Sequence, residues 1–167
     1  MLGVTPREAA AWEGTVAGVI DGDSIKVRRD SRLYEIRLYG IDTPEYRQPY
    51  SNKAKQLTRR LCLGRASVVL EKDIDRYGRI VAVVFCGDTM VNRELVEQGL
   101  AWHYPRYCHE QPLCGELRRL EERAAARKRG LWRDPSPVAP WEWKRRQRRH
   151  DSESGSRWHE RFLDWLR

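Results

Sequence analysis

The sequence predicts a mainly β, α+β domain: a small barrel of five strands with about three helices. Three observations carry that expectation. Short stretches alternate apolar and polar residues with a period of two. Compact turn signals join several of them, among them Asp21-Gly22 and Gly87-Asp88. A helical pattern falls between the third and fourth strands, and longer helical patterns come only after the fifth.

Met1 to Trp12 is weakly patterned, and residues 1–13 are assigned to a lead-in. Thr15 to Ile20 is the first strand. Asp21-Gly22 is a hairpin turn, which leaves Asp23 unexplained by turn chemistry at the start of the second strand, Ile25 to Arg28. Arg28 to Arg32 turns the chain into the third strand. There Tyr34, Ile36 and Leu38 alternate with Glu35, Arg37 and Tyr39, until Gly40 bends the chain and Pro44 ends pairing.

Ser51 is a candidate cap for a helix with Ala54, Leu57 and Leu61 at helical spacing, stopped by Gly64. Ser67 to Glu71 and Ile80 to Phe85 are the fourth and fifth strands, joined by a turn over Asp73 to Arg79. Val91 to Gln98 reads as a short helix closed by Gly99. Leu113 to Arg129 reads as a longer one, with Leu117, Leu120 and Ala124 on one face. A helix between strands three and four is the arrangement of the five-stranded oligonucleotide-binding barrel. The domain is placed at residues 14–143. The Pro-rich stretch Asp134 to Pro140 excludes a regular element, and residues 144–167 form a basic tail. Within that tail Trp158, Phe162, Trp165 and Leu166 have the spacing of a short amphipathic helix.

The chain has 167 residues, enough to bury a core without metals or disulfides. Its net charge of +8 favours a polyanionic partner; nucleic acid is the commonest, and an anionic membrane surface is the competing reading. No apolar run approaches the ~20 residues that cross a bilayer. Met1 to Ala11 lacks the apolar core of a signal peptide, so either the chain stays in the cytoplasm or a leader has been removed. Cys108 and Cys114 bracket a short polar loop. They are a candidate disulfide, with two free thiols as the alternative. A structural zinc site lacks its second ligand pair.

Chemistry concentrates in Arg37-Leu38-Tyr39-Gly40-Ile41-Asp42-Thr43-Pro44-Glu45. Two carboxylates on a constrained turn can hold a hard cation through oxygen. An arginine on the polar face of the same strand can hold a phosphate through paired hydrogen bonds. A metal, a carboxylate and a guanidinium side by side suggest phosphoryl chemistry.

These residues resemble the staphylococcal-nuclease-type thermonucleases common in Gram-negative bacteria. The resemblance runs from about Thr15 to Trp143. It rests on Asp21-Gly22-Asp23, on the stretch from Arg37 to Glu45, and on Asp75-Arg76-Tyr77-Gly78-Arg79. Val91-Asn92, Leu95-Val96, Gly99-Leu100-Ala101-Trp102, Gly130-Leu131-Trp132 and Pro140-Trp141-Glu142-Trp143 continue it in order. Each motif is weak alone; their order and spacing make the match specific.

The resemblance implies a calcium-dependent nuclease on an oligonucleotide-binding (OB-fold) barrel. It would hydrolyse phosphodiesters of DNA and RNA, prefer single strands, and leave 3′-phosphate ends. By that resemblance Asp23 and Asp42 are carboxylate ligands to Ca2+, and Thr43 offers its backbone carbonyl. Glu45 orients or deprotonates the attacking water, and Arg37 and Arg79 bind the scissile phosphate. Tyr77 lines the nucleotide pocket, with Tyr104 or Tyr107 as its partner. The resemblance also implies an exported protein, secreted or periplasmic, acting as a monomer without a membrane partner.

Two departures are visible. Ser24 replaces the threonine usual after Asp-Gly-Asp but keeps the hydroxyl, and Ser51 stands where many relatives have glycine. The competing reading is a catalytically silent module that binds nucleic acid or protein. Such relatives lose the carboxylates or arginines, whereas this chain keeps Asp23, Arg37, Asp42, Glu45 and Arg79. A third reading, a strand-binding barrel with stacking aromatics, expects aromatics along a groove. Most tryptophans here instead lie late, at Trp132, Trp141, Trp143, Trp158 and Trp165.

Overall fold

A computed structural model describes residues 10–150. In chain order the strands are β1 (Ala11–Val19), β2 (Ser24–Arg29), β3 (Arg32–Leu38), β4 (Ile41–Asp42), β5 (Ala66–Ile74), β6 (Ile80–Cys86), β7 (Thr89–Met90) and β8 (Trp102–His103). The helices are α1 (Ser51–Cys62), α2 (Val91–Glu97) and α3 (Leu113–Ala126). Short 3-10 turns cover Pro105–Tyr107 and Gly130–Arg133. The expected amphipathic helix around Trp158 lies outside the described residues.

The barrel follows from the pairings. The strand order is β3-β2-β1-β5-β6, each neighbour antiparallel. β6 then returns to β3 in parallel register, with Arg37 opposite Val81. That last pairing closes five strands on themselves and removes both open edges. Alternation sends Val16, Ile25, Val27, Ile36, Leu38, Val69 and Val84 inward, all fully or almost fully buried. The α+β barrel expected from periodicity is therefore the observed fold, with α1 between β4 and β5. α2 and α3 follow the last barrel strand, and Leu95, Val96, Leu117 and Leu120 belong to the same core.

Several boundaries differ from expectation, each for a local reason. β1 begins at Ala11, because Trp12 is buried at 6% exposure, pairs with Val69, and donates its indole N–H to Glu71 Oε1 at 2.7 Å. Ser51 is the first residue of α1 rather than its cap. Tyr50 holds the cap position at φ +70° with no side-chain cap bond, and its carbonyl accepts from Ala54 N–H at 3.0 Å. β5 runs on to Ile74, past a register shift between Glu71 and Asp73.

Two disulfides are present, and no free cysteine remains among the described residues. Cys108 joins Cys114, tying the segment before α3 to its first turn. Cys62 joins Cys86, tying the end of α1 to the end of β6.

The described chain divides into two compact units after Pro137. In the second, residues 140–150 are helical. Pro140 stands at the first helical position, where its missing N–H has no intrahelical acceptor to lose. The basic run Lys144 to Arg149 lies in this helix, with Arg145 paired to Glu142 at 2.7 Å.

Candidate active site

The site begins where β1 passes into β2. Ile20 N–H and Asp21 N–H both donate to Ser24 O, at 2.9 and 3.3 Å, so the turn is a bend over four residues. It is not the two-residue hairpin that Asp-Gly suggests. Nor is Gly22 needed for a left-handed backbone, since it is not among the positive-φ glycines. It is needed for space: a Cβ there would lie 2.7 Å from both Ala54 Cβ and Thr43 Oγ1. The bend packs so closely against α1 that Thr58 Oγ1 donates to Gly22 O at 2.6 Å.

That close approach fixes Asp23. Its carbonyl accepts from Leu38 N–H at 2.8 Å, which anchors it to β3. Its Oδ2 accepts from Thr43 N–H at 2.6 Å and pairs with Arg37 Nη1 at 2.8 Å. Its Oδ1 accepts a longer contact, 3.4 Å, from Ser24 Oγ. Arg37 lies on the polar side of β3, opposite Ser24. Its second nitrogen, Nη2, reaches Asp42 Oδ1 at 2.6 Å. One guanidinium thus bridges two carboxylates that are 4% and 2% exposed.

Gly40 creates the turn between Arg37 and Asp42. It has φ +73°, and a Cβ there would lie 2.6 Å from Cys108 Sγ. β4 then pairs with β8, Asp42 opposite Trp102, and Tyr104 N–H donates to Gly40 O at 2.9 Å. Beyond Pro44, Glu45 opens a second turn. Its N–H donates to the buried Gln48 Oε1 at 2.9 Å, and its carbonyl accepts from Gln48 N–H at 2.8 Å.

The electrostatics are anionic. Burial tends to lower the Arg37 pKa, but the charges of Asp23, Asp42, Asp21 and Glu45 outweigh it and hold the guanidinium above its ordinary value. Asp21 is exposed as a residue. Even so, partial burial of its carboxyl, then the charge of Asp23, push its pKa up to about 6. Its exposure makes the Asp23 charge the firmer cause. Asp21 Oδ1 also accepts from Asp23 N–H at 3.0 Å. In the sequence the turn alone accounts for Asp21, and its spacing from Asp23 is the signal of a second role.

Arg79 stands just before β6, two residues ahead of Val81, the partner of Arg37. Strand alternation therefore puts Arg79 and Arg37 on the same side of the β3–β6 pair. Arg79 is held by Asp75 Oδ2, through Nε at 2.8 Å and Nη2 at 2.7 Å. Asp75 Oδ1 accepts from Tyr77 N–H and Arg79 N–H, so the turn itself aims the guanidinium. Burial would raise the Asp75 pKa, but the bonds from Arg79 and Tyr77 win and hold it below the ordinary aspartate value. Tyr77 is 69% exposed, with Arg76 and Arg79 over its ring at 4.9 and 5.6 Å. Tyr104 and Tyr107 meet edge to face, centroids 5.0 Å apart.

The structure thus joins Asp23, Arg37, Asp42 and Thr43 directly and sets Glu45 on the adjoining turn. Arg79 with Tyr77 lies in the turn that leads into the neighbouring strand β6, and the Tyr104–Tyr107 pair leads out of β8. Among the described residues no group of three or more His, Cys, Asp or Glu is arranged to hold a metal ion. The donor set near Arg37 is nonetheless all oxygen, and four carboxylates face one guanidinium. That excess of negative charge in an all-oxygen donor set fits a hard cation.

The chain is thus a small closed β-barrel with an arginine-bridged carboxylate pair where β3 leaves it. Residues 35–134 match the family model described as staphylococcal nuclease homologue. The chain is 38% identical over 156 residues to Protein ParB of Escherichia coli, covering 86% of this chain and 87% of that one. It is 39% identical over 143 residues to an uncharacterized endonuclease of Escherichia coli, covering 85% and 91%. A micrococcal nuclease of Shigella flexneri is 34% identical over 145 residues, covering 81% and 82%. The chain belongs to the staphylococcal nuclease homologue family.

Proposed function

We propose that this protein is a calcium-dependent nuclease that hydrolyses phosphodiester bonds of DNA and RNA and leaves 3′-phosphate ends. The observation that carries this reading is the Arg37 guanidinium, bridging Asp23 and Asp42 beside the Glu45 turn. Relatives named as nucleases support the reaction class.

Asp23, Asp42 and the Thr43 carbonyl would hold the cation. Calcium, when bound there, supplies positive charge to the phosphoryl oxygens and modestly lowers the pKa of neighbouring water. Glu45 takes a proton from the attacking water. The water oxygen bonds to phosphorus as the bond to the 5′ oxygen breaks, so the phosphate stays on the 3′ side. Negative charge grows on the equatorial oxygens, where Arg37 and Arg79 stabilise the transition state more than the ground state. Arg79 is pre-aimed by Asp75 and would share its donors between that carboxylate and the substrate. Single strands are the preferred substrate in this reading, because unpaired bases can reach the exposed tyrosines. Two disulfides fit an oxidising compartment, secreted or periplasmic.

The test is hydrolysis of single-stranded DNA at alkaline pH, with calcium and with a chelator, for wild type and Glu45→Gln. The reading requires turnover that needs calcium and collapses in the variant. Tight, salt-sensitive DNA binding without hydrolysis by the wild type would instead establish a catalytically silent barrel.

A further inference from the structure

The turn after Glu45 carries a feature that the reaction does not use. Tyr46 is 81% exposed, the most exposed large apolar or aromatic side chain among the described residues. Arg47 places its guanidinium over that ring, 5.3 Å from the centroid. Arg47 is not a glycine, yet its φ is +66°, in the left-handed region that side chains seldom adopt. Backbone in that region persists where surrounding structure imposes it, and it clusters at ligand clamps. What imposes it is visible: Gln48, 6% exposed, closes the turn onto Glu45 with two hydrogen bonds of 2.8 and 2.9 Å. A buried side chain therefore holds an exposed ring and cation at the apex, one residue from Glu45.

An arginine over a tyrosine ring recurs at two further places. Arg76 lies over Tyr77 at 4.9 Å, beside Arg79. Arg106 lies over Tyr107 at 5.7 Å, in the segment that follows β8. An exposed aromatic face with an arginine beside it matches a nucleotide twice: base on ring, phosphate on guanidinium.

We propose that Tyr46 and Arg47 form a further nucleotide subsite, in which Tyr46 stacks on an unpaired base and Arg47 holds the adjoining phosphate of the same strand. The inference rests on the nuclease reading and adds to it a subsite beyond the scissile phosphate. Bases inside a duplex cannot offer a free face to Tyr46, so the subsite selects unpaired strands. It also makes turnover depend on chain length, because a substrate too short to reach Tyr46 gains nothing from it.

The experiment compares a labelled single-stranded deoxyoligonucleotide with bis(4-nitrophenyl) phosphate, a diester with no strand to extend. Wild type, Tyr46→Ala, Tyr46→Phe and Arg47→Ala are assayed as full chains. Tyr46→Ala should raise KM for the oligonucleotide about 5- to 150-fold, the range for one base–aromatic stack. Its turnover of the small diester should stay within about twofold of wild type, and Tyr46→Phe should behave as wild type on both. Arg47→Ala should reduce the slope of log affinity against log salt by about 0.7, one phosphate contact on a single strand. An unchanged oligonucleotide KM in Tyr46→Ala would overturn the subsite. So would equal losses on both substrates, which would mean only that Glu45 had moved. If the wild type hydrolyses neither substrate, the nuclease reading fails. Oligonucleotide affinity by fluorescence anisotropy then decides the subsite, weakened binding in Tyr46→Ala supporting it and unchanged binding refuting it.

Discussion

Arg37 and Asp42 are five residues apart, yet Gly40 folds the chain so tightly that Nη2 and Oδ1 meet at 2.6 Å. The same guanidinium pairs with Asp23, so two buried carboxylates share one cation. Removing one partner of a buried pair costs about 3 to 5 kcal/mol, because the other charge stays buried and unpaired. Arg37→Ala should lose roughly that much stability in urea unfolding at neutral pH. It should also lose about a hundred- to a thousandfold in kcat. Added calcium should restore more stability to this variant than to wild type, because the cation would replace the lost charge. Equal calcium effects on the two would argue against Asp23 and Asp42 as its ligands.

Arg79 is expected to behave differently. Its pair with Asp75 is partly exposed, at 26% and 20%, and lies within one turn. Exposed pairs of this kind contribute about 0 to 1 kcal/mol. Arg79→Ala should therefore unfold within about 1 kcal/mol of wild type, yet lose about a hundred- to a thousandfold in kcat. Comparing the two variants separates catalytic from structural cost. A large stability loss in Arg79→Ala would place its role in the fold.

Asn92 is fully buried on α2 and links that helix to the barrel. Its Nδ2 donates to Tyr39 O at 2.9 Å and to Ala82 O at 3.3 Å, and its Oδ1 accepts from Val84 N–H at 3.0 Å. It thus joins the exit of β3 to β6 just before the Gly40 turn. Each buried polar group left unsatisfied costs about 1 to 3 kcal/mol. Asn92→Ala should destabilise by about 3 kcal/mol. Asn92→Asp should cost at least as much, because it faces two carbonyls with a carboxylate. A midpoint shift in urea checks both.

Gly40 has a double constraint. An alanine there would need φ +73°, and its Cβ would lie 2.6 Å from Cys108 Sγ and 3.1 Å from Leu117 Cδ1. The left-handed backbone costs about 1 to 2 kcal/mol, and overpacking about 1 to 3 kcal/mol more. Gly40→Ala should lower stability by their sum and displace Asp42 from Arg37, cutting activity. Reducing the Cys108–Cys114 bond should relieve part of the clash, so reductant should narrow the gap between Gly40→Ala and wild type. A gap unchanged by reductant would mean that the backbone constraint dominates.

The barrel strands were legible because alternation is a long signal: Tyr34, Ile36 and Leu38 declare a face without help from the rest of the chain. The two-residue strands β4 and β8 were not, since two residues carry no period. The Arg37–Glu45 stretch stood out because several chemical groups lie close together in sequence. Asn92 was visible only as part of a motif, since its backbone partners, Tyr39 just past β3 and Ala82 and Val84 on β6, lie eight or more residues away in sequence. Cys62 and Cys86 lie 24 residues apart, and only the fold brings the end of α1 beside the end of β6. Gly22 was read as a turn residue because sequence displays flexibility more readily than the crowding of a neighbouring helix.

Glu121 on α3 should make stability depend on pH. Its Oε1 accepts from His103 N–H at 3.0 Å on β8, the strand paired with β4. Burial, helped by the charge of Glu122 and opposed by the His103 bond, raises its pKa from 4.5 to about 7. His103 is itself buried, with its pKa lowered by that burial and by Arg118. A carboxyl that binds its proton more tightly when folded favours the folded state at low pH. That contribution is complete below about pH 4.5, the unfolded value, and is lost as pH rises through about 7. Glu121→Gln keeps an oxygen acceptor for His103 N–H and removes the ionisation. It should match wild type near pH 4.5 and exceed it above pH 7, on the order of 1 to 2 kcal/mol after allowing for solvent screening. Urea midpoints at pH 5 and pH 8 would show this as a pH slope present in wild type and flattened in the variant. Parallel slopes in the two proteins would move the source of the pH dependence away from Glu121.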